Sequence, residues 1–361
     1  MQNLVNEVPA KKNYEFIDAI RAIAMISIVM EHSFSFNAEQ YNPTDSLSII
    51  TLATVLQYIK FGTIAFFLLA GFLIGEKFTT YTPLQYLKRR VDNTILPWVF
   101  WSLFFLGTIV LNDVVSAYQF NHGQFEPNYT ARFFNYFKVI YLYSNYWFIP
   151  NFLICIGILL LFQRYLYSYW LGAGLLLFTV LYMFNIYNEW IEPRHSTAIF
   201  GFVFFLWLGA QFNRHLAAFE KWLNKTSIWL WLFLSIITGL IGIKEILYLK
   251  AQNSVDPYNT LRLSNIVYSM CFFFFLLKIK NFKFVNFIKP RETTYGIYLI
   301  HYILVAMLLP MIFPSLRFGI KGLSYGEVWA YMIARFLIAY IVTFIIVSLI
   351  NKSRAKWLIG R

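Results

Sequence analysis

The sequence predicts an all-α fold: a polytopic transmembrane helical bundle of about ten transmembrane helices with both termini cytoplasmic. Three observations carry that expectation. Hydrophobic residues make up 59% of the 361, charged residues only 13%, and the apolar residues gather into long runs. Soluble domains carry roughly 25% charge, so the composition excludes a water-soluble fold.

Runs long enough to cross about 30 Å of hydrocarbon lie near 16–36, 49–75, 94–116, 145–163, 169–187, 197–213, 227–248, 261–278, 294–313 and 328–350. The second is longer than a bilayer demands and contains Lys60 and Gly62. It is expected to be tilted, broken or partly outside the hydrocarbon. No soluble domain, long linker or low-complexity tract interrupts the series, so residues 1–361 read as one domain. The opening stretch lacks a short apolar core followed by a cleavage site, and the first helix is expected to remain as an anchor.

Alternating the ten spans from a cytoplasmic amino terminus places nineteen of the 30 Lys and Arg residues in inner segments and eight in outer ones. Inner loops carry the basic excess, so this orientation is the consistent one, and a multi-pass protein of the inner (plasma) membrane is expected. The remaining three, Arg21, Lys60 and Arg335, fall inside spans, where Lys60 and Arg335 can snorkel or line a cavity. The net charge of +13 does not point to nucleic acid, because the basic residues form short clusters between apolar runs. Cys155 and Cys271 lie in apolar runs, so neither a disulfide framework nor a metal site is expected.

The most informative pair is Arg21 and His32, inside FIDAIRAIAMISIVMEHSFSF. Eleven steps of about 100° bring both side chains within about 20° of one line, about 16 Å apart along the axis. An ionisable group at the bilayer centre costs about 2.5 to 3.5 kcal/mol, so two on one stripe suggest a polar cavity. Asp18, three residues before Arg21, can pair with it on the same face, which gives Arg21 a purely structural alternative. A histidine bonded to a neighbouring helix is the corresponding alternative for His32. Glu31 projects about 100° away from His32 and is poorly placed to orient it. His122, His195 and His215 fall in loops, where exposure is the default.

A wider pattern surrounds the pair. The first span resembles the opening signature of the integral membrane acyltransferase-3 family, an Arg or Lys followed after ten residues by His. GTIAFFLLAGFLIG (62–75) is similar to that family's second-helix motif, with Ala70 where Ser is usual. YLKRRVDNTILPWVFW (86–101) resembles its basic loop leading to Pro and aromatics, with Asn93 where another basic residue is common. YWFIPNFLICI (146–156) and TYGIYLIHY (294–302) resemble the family's fourth-helix and late Tyr-Gly-Ile-Tyr-Leu-x-His segments.

The resemblance implies transfer of an acyl group, usually acetyl from cytoplasmic acetyl-CoA, to a hydroxyl of a cell-envelope or exported carbohydrate or glycolipid. Acetyl-CoA is then a co-substrate, and no metal is required. Arg89 and Arg90 are the implied phosphate-binding residues, Arg being suited to bidentate contacts. His32 is the implied general base, or an acyl relay if the imidazole is itself acylated. Arg21 either contacts the cofactor or stabilises packing through Asp18. Tyr295 and His301 are further candidates, each with a plain packing alternative, as are Asp18 and Glu31. The loop at 119–137 mixes aromatics with Asn, Gln and His, a composition able to hold sugar. A transporter exporting a polysaccharide or lipid-linked sugar is the alternative reading, although no inverted repeat is visible.

Overall fold

Hydrocarbon offers no water to backbone N–H and C=O groups, so a chain this apolar must close its hydrogen bonds within each segment. The computed structural model of the protein describes residues 14–35, 43–77, 82–120, 122, 124, 128–312 and 323–361. Among the described residues every regular element is helical. In chain order these are α1 (Glu15–Phe34), α2 (Ser46–Ile59), α3 (Gly62–Lys77), α4 (Pro83–Phe120), α5 (Tyr129–Lys138), α6 (Phe148–Leu161), α7 (Tyr169–Asn188) and α8 (Ile199–Arg214). There follow α9 (Leu216–Lys225), α10 (Ile228–Ala251), α11 (Leu263–Ile279), α12 (Val285–Ile288), α13 (Pro290–Ile303), α14 (Leu309–Ile312) and α15 (Tyr325–Lys352).

Among the described residues five stretches are long and apolar enough to cross a membrane: 46–77, 83–119, 169–188, 228–251 and 325–352. A sixth arises if 129–143 and 145–161, which meet at 64°, count as one bent span. The other four expected spans fall on the shorter or more polar helices α1, α8, α11 and α13. Large apolar side chains face outward on the long helices, among them Trp229 and Phe233 on α10 and Ile341 and Leu349 on α15. Such a band suits lipid, and the protein is a multi-pass membrane protein.

The break expected in the second span lies at Lys60–Phe61, between α2 and α3. There Lys60 is buried and its ammonium pairs with the Glu31 carboxylate. Arg335 neither snorkels nor lines the cavity described below. Its guanidinium is buried and donates to the Ser33 carbonyl (3.2 Å) and the Val305 carbonyl (3.0 Å), the latter within a π-helical turn at Leu304–Leu308. The basic stretch at 86–93, expected as a loop ahead of the third span, is continuous helix with it in α4. Pro97 removes one N–H, leaving the Asn93 carbonyl without its helical donor. Gly360 packs there with φ +75°, and a Cβ on it would lie 2.6 Å from that carbonyl oxygen, so residues 356–361 need glycine at this position to sit against α4.

Two glycines bring α3 and α8 into close contact. A Cβ on Gly71 of α3 would lie 1.8 Å from the Leu206 carbonyl oxygen of α8, and one on Gly209 would lie 2.1 Å from the Leu68 carbonyl oxygen. Small residues let helices in lipid approach this closely. Gly71→Ala must push α3 from α8, and a loss of about 1–3 kcal/mol or more is expected, read as a lower melting temperature in detergent. Against the other side of α3 lies α1, which also packs on α13 and α15. The two larger apolar cores among the described residues lie around α3, α8 and α11 and around α4, α13 and α15, with Phe66 and Phe148 touching both.

Candidate active site

Between those cores lies a cavity of about 350 Å³. Arg21 and His32 both line it, as their helical phase on α1 predicts. The helix rises about 16 Å from one to the other, so the cavity has an arginine end and a histidine end. At the arginine end the lining includes Arg90 of α4, Arg291 of α13 and Arg361 from the chain's last residues.

Carboxylates fix this basic mouth. Asp18 accepts from Arg21 Nη1 at 3.3 Å and from Arg291 Nε at 2.8 Å, so the expected Asp18–Arg21 pair forms and a second arginine shares it. Arg361 Nη1 lies 3.3 Å from Glu292. Arg90 donates Nε to the Tyr86 hydroxyl at 2.9 Å, one helical turn back. Arg89 stands about 100° round the same helix and is not among the lining residues. Tyr295 lines the cavity and donates its hydroxyl to the Thr94 carbonyl at 2.6 Å, three residues before Pro97.

At the far end the His32 ring meets two partners. Tyr302 stands edge-on at 5.1 Å between centroids, and the His301 ring lies 5.4 Å away. His301 is fully buried, with Nδ1 2.8 Å from the Ile297 carbonyl oxygen. A carbonyl only accepts, so Nδ1 carries a proton. Glu31 turns away to Lys60, as its phase predicts.

Asn145 was not legible in the sequence as a site residue. It is 3% exposed, lines the cavity, and donates Nδ2 to the Tyr298 carbonyl at 2.8 Å, while the Tyr298 hydroxyl donates back to the Asn145 carbonyl at 2.7 Å. The Tyr146 hydroxyl adds a third bond, to the Leu299 carbonyl at 2.6 Å. These bonds staple the turn before α6 to α13. The signal available was a lone amide just ahead of an apolar run. Arg291 and Arg361 were equally hidden, because inner-loop charge explains them without a site.

His195 departs from the exposure expected of a loop histidine. Its ring stacks on Trp147 at 5.2 Å and its Nε2 lies 2.8 Å from the Thr260 hydroxyl. Burial, with the nearby Lys60 charge, pushes its pKa down to about 3. The ring is therefore neutral at pH 7, and its 3.8 Å approach to Asp256 is not an ion pair. His122 and His215 are exposed, as expected. In the aromatic segment at 119–137, residues from 129 onward form α5, whereas 121, 123 and 125–127 lie outside the described residues.

A family model for acyltransferase 3, described as an acyltransferase domain, matches residues 14–352. The chain belongs to the acyltransferase-3 family. No curated protein and no solved structure matches it. Membership makes the protein a membrane acyltransferase. The acyltransferase-3 segments quoted from the sequence converge on the cavity: Arg21 and His32, Ala70 of the second motif, Arg90 of the third, Phe148 of the fourth and Tyr295 of the fifth.

Proposed function

We propose that the protein moves an acetyl group from cytoplasmic acetyl-CoA to a hydroxyl of a cell-envelope or exported carbohydrate or glycolipid. Ten crossings with both termini inside turn the arginine end to the cytoplasm and the histidine end toward the outer leaflet, in the inner (plasma) membrane of the cell. One observation carries this reading: Arg21 and His32 open into a single cavity whose mouth holds four guanidinium groups. Phosphates of the donor suit the mouth, where Arg90 takes the larger part and Arg89 contributes charge from outside the cavity. A pantetheine arm about 15 to 20 Å long matches the rise from Arg21 to His32.

In the reaction the acceptor oxygen attacks the thioester carbonyl, and neutral His32 takes the acceptor's proton as the new C–O bond forms. The C–S bond then breaks, and the departing thiolate recovers that proton from His32, leaving free CoA and an ester. Acylation of His32 followed by transfer gives the same balance in two steps. Purified protein in bilayers, supplied with acetyl-CoA and an acceptor glycan, is expected to release CoA and yield the esterified sugar. Movement of an unaltered glycan without CoA release would instead mark a carrier.

Arg21→Gln separates its two roles. The Asp18 carboxylate keeps Arg291, so the helix packing survives the change. The KM for acetyl-CoA is expected to rise roughly tenfold with kcat little altered, since a charged hydrogen bond made in both ground and transition states is lost.

A further inference from the structure

The side-chain oxygen of Asn145 has no hydrogen-bond partner, although its atom is fully buried and the residue lines the cavity. Its orientation is not free. Nδ2 is committed to the Tyr298 carbonyl, which fixes which amide atom is nitrogen and leaves Oδ1 as a held acceptor. A buried acceptor without a donor is costly, so a native one in a cavity wall marks a place where a ligand supplies the N–H or O–H.

Depth selects the ligand group. Asn145 is tied to Tyr298, and His301, beside His32, lies three residues further along α13. Three residues rise about 4.5 Å, so the orphaned oxygen is stationed roughly one turn short of His32, toward the arginine end. Given donor entry from that end with the thioester at His32, a reading that rests on the proposed function, the group arriving at Asn145 is fixed by covalent structure. The amide nitrogen nearest the thiol of pantetheine is separated from sulfur by two carbons, a span of about 4 Å.

We propose that Asn145 Oδ1 accepts the hydrogen bond of the pantetheine amide nearest the thiol, and so sets how far the thioester advances toward His32. Asn145 is a positioning residue in this scheme. A donor whose arm ends short, or lacks that N–H, leaves the acceptor unfilled and the carbonyl out of register with the imidazole.

The test uses acetyl-CoA and an analogue in which that amide N–H is replaced by an ester oxygen. The wild-type protein is expected to prefer the amide donor by roughly tenfold or more in kcat/KM, the penalty of an unpaired buried acceptor. In Asn145→Ala the preference is expected to shrink to within about twofold, because the partner of the missing N–H is itself missing. Tyr298→Phe loosens the same turn and keeps Oδ1, so it retains the preference whatever its absolute rate. If Asn145→Ala does not accumulate, Asn145→Ser serves in its place. Equal preference in wild type and either Asn145 variant, or none in wild type, overturns the assignment. Absence of CoA release from wild type with acetyl-CoA overturns the acetyl-transfer reading instead.

Discussion

His32→Ala is expected to lower kcat for transfer by roughly 10²- to 10⁴-fold while CoA binding stays near the wild-type value. The argument is geometric. The imidazole lines the cavity at the end opposite four arginines, and its ring contacts are to His301 and Tyr302 and not to the mouth. On the proposed reading, truncation therefore removes the proton acceptor and leaves the four guanidinium groups of the mouth in place. Loss of kcat without a change in donor affinity is the signature of a group acting only in the transition state. Turnover by CoA release, paired with equilibrium binding of CoA, measures both quantities. An Ala variant with wild-type kcat would remove His32 from the chemistry and return it to helix packing. Rapid-quench mass analysis of the protein distinguishes the two routes, since only the relay puts 42 Da, the mass of an acetyl group replacing hydrogen, on the peptide holding His32.

Arg262→Met is expected to lower stability by about 3–5 kcal/mol. Arg262 is fully buried, in the turn leading into α11. Its Nη2 donates to Gln57 Oε1 at 2.8 Å, its Nη1 to Glu245 Oε2 and the Gly242 carbonyl, each at 3.2 Å, and its Nε to the Asn259 carbonyl at 3.1 Å. One guanidinium thus ties α2, α10 and α11 together. Methionine keeps an unbranched side chain but leaves the Gln57 carbonyl without its guanidinium donor and the Glu245 carboxylate, which retains the Tyr187 and Ser264 hydroxyls, without its buried countercharge. Thermal unfolding in detergent is the measurement. The double variant Arg262→Met with Glu245→Gln is expected to recover part of the loss, because no uncompensated charge remains. A melting temperature unchanged by Arg262→Met would rule the network out as a determinant of stability.

These two sites differ in how far the chain itself announced them. Arg21 and His32 were readable because a helix of known pitch converts a sequence interval into a direction, and α1 kept that pitch throughout. The same arithmetic separates Arg89 from Arg90, but a basic stretch read as loop gave it no helix to act on. Arg262 counted only as an outer-loop charge, since nothing local indicates that Gln57 and Glu245, distant in sequence, close over it. Lys60 and Glu31 were each visible as misfits in apolar surroundings, yet their pairing is a tertiary fact between separate spans. His195 was misjudged for a related reason: Trp147 and Thr260 cover it, and neither neighbours it in sequence. Asn145 and Arg361 belong to segments without periodicity, where no pattern forecasts what a side chain faces.

The length of α4 has a consequence of its own. Thirty-eight residues make a rod of about 57 Å, nearly twice the thickness of hydrocarbon, so its leading turns stand clear of lipid as a rigid screw thread. A thread converts length into angle. Removing one residue between Arg90 and Pro97 would bring Arg89 round to the mouth in place of Arg90, whereas adding one would present Val91. A deletion there therefore keeps an arginine at the mouth, whereas an insertion puts valine in its place.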